Sequence, residues 1–141
     1  MKTTDTYETQ GGIQVVRSVE ALTLETPLQD VLDGLNRRRG ALFASGYEYP
    51  GRYSRWDIGF VNPPVELKAR QRAFEFRALN ERGRVLLDIF RAGLEGHPHL
   101  ESLEVMDGQL HGCVQPMPTH FREEDRSKQP TIFSVLRALV E

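Results

Sequence analysis

The sequence predicts an α+β fold in which antiparallel sheets pack against two to three helices. One observation is the Asp107-Gly108 dipeptide, which lies between two short runs of apolar residues and is typical of a tight hairpin turn. Another is the recurrence of apolar residues at helical spacing in three separate segments. Because strands joined by a tight turn run antiparallel, we expect the sheets to be antiparallel.

Length and composition are those of one globular domain. A chain of 141 residues is long enough to bury about two-thirds of its unfolded surface, so we expect one core. A net charge of -2 predicts no binding to nucleic acid or to anionic lipid. The sequence has one cysteine, no signal-peptide pattern and no apolar run of about 20 residues, so we expect a cytoplasmic protein that does not enter a membrane.

The first third of the chain is predicted to contain a flexible terminus, a strand and a helix. Residues 1–10 are polar and without periodicity, so we expect the folded domain to cover residues 11–141. The β-prone residues from Ile13 to Val19 predict a strand. A helix is predicted to begin at Thr26-Pro27, because a capping residue and a first-turn proline precede apolar residues at helical spacing. Gly40 is expected to form its left-handed cap.

The middle of the chain is predicted to alternate between strands and one further helix. Ala41–Ser45 has the composition of a buried strand, and alternating apolar residues predict two antiparallel strands, one over 56–60 and the other over 74–78. A turn is expected at Asn80–Gly83. Apolar residues at helical spacing then predict a helix that covers residues 86–94.

The last helix is predicted after Pro130-Thr131, with an apolar stripe from Ile132 to Leu139. This pattern runs to Glu141 with no glycine cap, basic last turn or following proline. We therefore expect a truncated chain, in which the stripe packs on this domain or on a part that is missing. An exposed stripe would favour self-association.

The residues with catalytic or metal-binding chemistry form no recognised site. His97 and His99 have no cysteine or histidine partner at a zinc spacing, so they are interpreted as solvated loop residues. Cys113 lies within the predicted hairpin and is interpreted as a small buried hydrophobe. The acidic run Glu123–Asp125 is flanked by basic residues and indicates a solvated loop. We therefore predict no catalytic residue and no metal site in this chain.

The least generic stretch is the loop from Tyr47 to Asp57, which is rich in tyrosine, tryptophan and arginine. Such residues are enriched where proteins bind a ligand or a partner. The alternative is that this loop only packs over the edge of a sheet. Composition by itself leaves both interpretations open.

This loop carries a family resemblance. Its sequence, Tyr-Glu-Tyr-Pro-Gly-Arg-Tyr-Ser-Arg-Trp-Asp over residues 47–57, resembles the signature of anthranilate synthases in which the synthase and glutaminase parts are fused. The resemblance covers nearly the whole chain and continues in four further segments: Gly11-Gly12-Ile13 with Val15, Asn62-Pro63-Pro64, Asn80–Gly83 with Val85–Asp88, and Gln129–Phe133.

The resemblance implies an enzyme of tryptophan biosynthesis as the parent protein. That enzyme would convert chorismate and glutamine to anthranilate, pyruvate and glutamate with a magnesium ion. The family's chorismate and magnesium site lies in a carboxy-terminal domain whose motifs are absent from these residues. The catalytic and glutaminase domains are then the expected partners of this chain, which would itself hold no cofactor and be inactive.

The resemblance also implies a feedback site for L-tryptophan. In the family, a Leu-Leu-Glu-Ser strand motif contacts this inhibitor, and a basic residue follows ten positions after the serine. Alignment on the serine places Ser45 and Arg55 as polar contacts and Phe43 as an apolar wall. Phe43 replaces the second leucine of the motif, and Ala44 replaces its glutamate.

Two alternatives remain at this stage. Other chorismate-utilising enzymes, including aminodeoxychorismate synthase and phenazine-pathway synthases, share the general architecture. A free-standing module that binds a small molecule or a protein belongs to a different class, and such a module is expected to end in a cap or a polar tail.

Overall fold

Two compact units make up the chain, residues 1–63 and residues 64–141. The computed structural model describes residues 2–22, 27–44, 49 and 57–140. Over these ranges it contains three α-helices and antiparallel sheets, which confirms the predicted α+β fold. The sequence led us to expect a single core, and the buried apolar residues do form one cluster, but it lies entirely within the second unit.

The first unit begins with a hairpin of two seven-residue strands. Strand β1 (Lys2–Glu8) pairs antiparallel with β2 (Gln14–Glu20), and Gly12 adopts a φ of 79° in the turn between them. Residues 2–8 belong to the segment that was expected to be a flexible terminus, and they form a strand. Threonine and tyrosine favour strands, and β2 supplies the hydrogen-bonding partner that the polar pattern alone does not reveal.

The other described elements of the first unit are one helix and a two-stranded sheet. Helix α1 (Pro27–Leu35) begins where predicted but ends before the expected cap at Gly40, and strand β3 (Gly40–Ala44) pairs antiparallel with β4 (Asp57–Val61). Gly40 is not the left-handed cap of α1, since it begins β3 and has no positive φ. A side chain at this position would clash with the Phe60 carbonyl oxygen, so glycine permits the close approach of the strands.

The second unit is a four-stranded antiparallel sheet in the order β5-β6-β8-β7. Its strands are β5 (Val65–Arg70), β6 (Ala73–Ala78), β7 (Leu100–Met106) and β8 (Gln109–Val114). Strand β5 was not predicted. The two strands predicted as antiparallel at 56–60 and 74–78 correspond to β4 and β6, but each pairs with other strands.

Two helices pack on one face of this sheet, α2 (Glu81–Leu94) and α3 (Ile132–Val140). The ring of Phe76 lies 5.6 Å from that of Phe74 and 5.2 Å from that of Phe90. Val135 of α3 is fully buried, so the apolar stripe of α3 packs within this unit and does not form the exposed surface that was considered above. The buried cluster consists of Phe74, Phe76, Leu87, Leu94, Leu110, Val114 and Val135.

Two short sequence motifs in the second unit lie at a hairpin turn and at the beginning of a helix. Gly108, at the tip of the β7–β8 hairpin, has a φ of 68°, whereas Asp107 has no positive φ. The expected turn at Asn80–Gly83 is instead the start of α2. The Asn80 side chain accepts a hydrogen bond from the Gly83 backbone N–H at 3.1 Å, which satisfies a donor in the first helical turn. Among the described helices, none has the length and apolar character needed to cross a bilayer.

Candidate functional site

Phe43 lies on an open apolar face of the β3–β4 sheet. It is paired with Ile58 across the strands, and their side chains are 65% and 61% exposed. Ala41 pairs in the same way with Phe60, which is 48% exposed. Side chains two residues apart in a strand share a face, so Ala41, Phe43, Ile58 and Phe60 form one surface, here called the outer face.

Helix α1 covers the opposite face of this sheet. A Cβ atom built on Gly59 would lie 3.1 Å from Leu42 and 3.3 Å from Val31, which belongs to α1. A Cβ on Gly34 would similarly lie 3.0 Å from the Val61 side chain. The small residues at 34 and 59 let the helix approach the strands closely, and they fix which face of β3 and β4 remains open.

The two polar residues of the predicted inhibitor site, Ser45 and Arg55, lie outside the described residues. Of the aromatic loop that carries the family signature, the structure describes only Tyr49, which is 51% exposed, and Asp57. The connection that contains Ser45 and Arg55 leaves β3 at Ala44 and enters β4 at Asp57. These two residues are cross-strand partners, so the outer face and the ends of this connection belong to one small sheet.

The histidine pair at 97 and 99 forms a local contact in the loop before β7. The two rings meet edge to face with centroids 5.3 Å apart, and the His97 Nδ1 atom accepts a hydrogen bond from the His99 N–H. Burial lowers the pKa of His97 below its usual value of 6.5, and the neighbouring His99 lowers it further. Within the described part of the chain, no three histidine, cysteine or acidic side chains are grouped to hold a metal.

Cys113 is not the buried hydrophobe that was predicted. It is partly exposed, and its Sγ atom lies 3.6 Å from a carboxylate oxygen of Glu101. The reason is the alternation of β8, in which Leu110 and Val114 face the core and Cys113 faces the open side of the sheet.

The acidic run is part of a short 3₁₀ helix, Glu123–Lys128, rather than a loop. Arg126 pairs with Glu123 at 3.0 Å and Lys128 with Asp125 at 2.9 Å, and the four side chains are 41% to 80% exposed. The solvated, charged character expected of this segment is therefore present, with each of these two carboxylates matched by a basic neighbour.

One cavity was missed by the sequence analysis. It has a volume of about 330 Å³ and lies between α2 and the β7–β8 hairpin in the second unit. Arg84, Asp88 and Arg91 line it from the helix, and Val105 and Met106 line it from the hairpin. Regularly spaced charges on a helix resemble a solvated face in sequence, so only the tertiary packing reveals that they border a cavity.

Comparison with known proteins confirms the resemblance that the motifs indicate. Over 135 residues, 96% of its length, the chain is 43% identical to a protein of Azospirillum brasilense named anthranilate synthase. The chain spans 18% of the length of that relative. No family model matches the chain. No solved structure matches it either.

Proposed function

We propose that this chain is the amino-terminal, feedback-regulatory part of an anthranilate synthase and forms half of an L-tryptophan site. The parent enzyme would make anthranilate and pyruvate from chorismate and glutamine. The identity of 43% to a protein of that name, over nearly the whole chain, supports the assignment. The chorismate, magnesium and glutamine chemistry is assigned to other domains, so this chain alone is expected to form no anthranilate.

The observation that carries the inhibitor site is the outer face of the β3–β4 sheet. Three large apolar side chains, Phe43, Ile58 and Phe60, are about half or more exposed there. Water-exposed apolar surface is stabilised when a ligand covers it, at roughly 25 cal/mol per Å². A flat face with two phenylalanines suits a planar indole, because aromatic rings pack well against one another.

The polar ends of tryptophan require different groups, which the adjoining connection supplies. The guanidinium of Arg55 can bind the carboxylate of the ligand through two parallel hydrogen bonds. The hydroxyl of Ser45 can both donate and accept a hydrogen bond, and in this proposal it contacts the amino acid backbone of the ligand. Both residues belong to the segment that links Ala44 to Asp57 at the paired end of the sheet.

An open face provides only one side of a binding site. Small-molecule sites bury about 70–90% of the ligand surface, which a two-stranded sheet cannot do alone. We therefore assign the second side to the catalytic domain of the parent enzyme. The isolated chain should bind tryptophan weakly.

The first experiment is a calorimetric or NMR titration of L-tryptophan into this chain, with L-phenylalanine as the competing ligand. We expect weak, tryptophan-selective binding that is lost in Ser45→Ala and in Arg55→Ala and is weakened in Phe43→Ala. Phe133→Ala is the matched control for Phe43→Ala, because Phe133 is a similarly exposed phenylalanine in the second unit. Equal binding of both amino acids, or binding that survives the Ser45 and Arg55 changes, contradicts the proposed site.

A second experiment supplies the missing side of the site. The chain replaces the matching 135 residues of the Azospirillum brasilense relative, and anthranilate formation by the chimaera is measured with increasing tryptophan. We expect an active enzyme whose inhibition by tryptophan is lost in Ser45→Ala. An active chimaera that is inhibited equally with and without this substitution would assign the feedback site to other residues.

A further inference from the structure

The cavity between α2 and the β7–β8 hairpin combines an apolar floor with charged walls. Leu87 and Leu110 form the floor and are buried in the core of the second unit. Val105 and Met106 form one side and are 61% and 56% exposed. Strand β7 is an edge strand. Val105 lies on the same face of the sheet as the helices, which cover that face nearer to the centre of the sheet. The cavity is therefore the part of this face that α2 leaves open.

The helix contributes charged residues from a single face. Arg84, Leu87, Asp88 and Arg91 are spaced at i, i+3, i+4 and i+7, so all four side chains project toward the hairpin. The two arginines are separated by about 10 Å along the helix axis, at 1.5 Å per residue. A ligand that lies in this cavity meets a cation at either end.

The two arginines differ in how they are neutralised. Arg84 forms an ion pair with Asp107 at 3.2 Å and a longer one with Glu81 at 3.7 Å. The side chain of Arg91 has no ion pair or hydrogen bond with any residue that the structure describes, and the same holds for Asp88. Arg91 is therefore the cation of this cavity that a bound anion can neutralise.

We propose that this cavity binds a small aromatic monocarboxylate, with its carboxylate on Arg91 and its ring against Val105 and Met106. A thioether packs favourably against the edge of an aromatic ring, which suits Met106 to this contact. A cavity of about 150 Å³ accommodates benzene, so 330 Å³ has room for a ring and a short acid side chain.

The charge of the ligand follows from Asp88. Its carboxylate lies one helical turn from Arg91 and one from Arg84, so it repels a second negative charge near either arginine. A monocarboxylate meets this repulsion with a single charge, which Arg91 offsets. A dicarboxylate or a phosphate dianion adds a second repelled charge, so the site favours ligands with one negative charge.

The test is a titration of the full chain with 3-phenylpropionate, followed through the NMR methyl signals of Val105 and Met106. We expect saturable shifts of these signals. Arg91→Gln should bind the ligand about tenfold more weakly, since a charge-assisted hydrogen bond is lost. Arg82→Gln is the matched control, because Arg82 is an exposed arginine of the same helix that does not line the cavity. Phe43→Ala is expected to leave the shifts unchanged, which separates this site from the proposed tryptophan site.

Two further probes test the charge rule. The uncharged 3-phenylpropanol and the dicarboxylate phenylsuccinate are expected to bind more weakly than 3-phenylpropionate, and Asp88→Asn should improve phenylsuccinate most. The proposal is overturned if 3-phenylpropionate gives no saturable shifts, if the alcohol binds as well as the acid, or if Arg91→Gln and Arg82→Gln behave alike.

Discussion

The two units of this chain use apolar residues in opposite ways. In the second unit, seven apolar side chains form a buried cluster between a four-stranded sheet and two helices. In the described part of the first unit, no side chain is buried, and Phe43, Ile58 and Phe60 are turned toward solvent. Apolar residues therefore form a buried core in one unit and an exposed surface in the other.

This difference follows from the number of strands and helices in each layer. The β1–β2 hairpin has two strands and no described element packed on either face, and such hairpins are marginally stable alone. The β3–β4 sheet has one helix and one open face. Among the described residues, fully buried side chains occur only in the second unit, so we expect this unit to dominate the stability measured for the chain.

The largest expected effect is the removal of a core side chain. Leu94→Ala deletes a fully buried side chain and should lower the free energy of unfolding by about 3 kcal/mol, from lost burial and the cavity left behind. Urea denaturation measures this change. Val16→Ala in the first unit, where the side chain is 71% exposed, should change it by less than about 0.5 kcal/mol. Similar losses in both variants would contradict the contrast between the units.

A smaller loss is expected when the core is overfilled. A Cβ atom on Gly112 would overlap the ring of Phe74, so Gly112→Ala should cost about 2 kcal/mol. Gly93→Ala is the control within the same unit. Its Cβ would meet only Leu139 at 3.8 Å, and alanine favours a helix, so this change should stabilise the protein by about 0.5 kcal/mol. Thermal unfolding should show a lower melting temperature for Gly112→Ala and a higher one for Gly93→Ala. Two shifts in the same direction would contradict this packing.

The helix cap is expected to contribute less again. Asn80→Ala removes the acceptor for the Gly83 N–H and should lower the free energy of unfolding by about 1 kcal/mol. Asn80→Asp keeps an acceptor at that position and should restore most of the loss. Circular dichroism during denaturation measures both variants, and a loss in Asn80→Asp equal to that in Asn80→Ala would rule out capping as the cause.

The smallest effect is a pH dependence that comes from His97 in the second unit. The pKa of His97 is lowered in the folded state, so the unfolded state binds more protons. The stabilisation is complete above the usual value of 6.5 and is lost as the pH falls through the lower folded-state pKa. Urea midpoints measured on both sides of this value should show a shallower pH slope in His97→Gln. An unchanged slope would assign the effect to other groups.

Sequence reasoning succeeded where local signals and packing agree. The helix that ends at Leu94, the hairpin at Gly108 and the final helix are all present, because their apolar residues face one core. Strand β5 was overlooked although Val65 and Leu67 alternate with charged residues. Strand β1 carries few apolar residues, so its pairing with β2 left no hydrophobic pattern to read.

The division into two units and the cavity beside α2 could not be predicted in this way. Phe43 and Phe74 both lie in short apolar strands, yet one is 65% exposed and the other 3%. What separates them is whether a helix covers the face of the sheet on which the ring lies, which the strand sequence does not encode. The family resemblance, rather than periodicity, directed attention to Phe43. Arg91 and Met106 meet only through tertiary packing, and no local signal joins them.

Strands β5 and β7 are the two edge strands of the four-stranded sheet in the part of the chain that the structure describes, and their charges differ. Strand β7 carries Glu101 and Glu104 and no basic residue, whereas β5 carries Lys68 and Arg70 beside a single acid. Two copies that joined through the same edge would bring like charges together, which disfavours a symmetrical, closed dimer. Contact between unlike edges repeats from copy to copy, and it gives a ring or an open filament according to the rotation between copies. Colloidal stability of this protein should therefore be sensitive to salt, because ions in solution screen both the repulsion and the attraction.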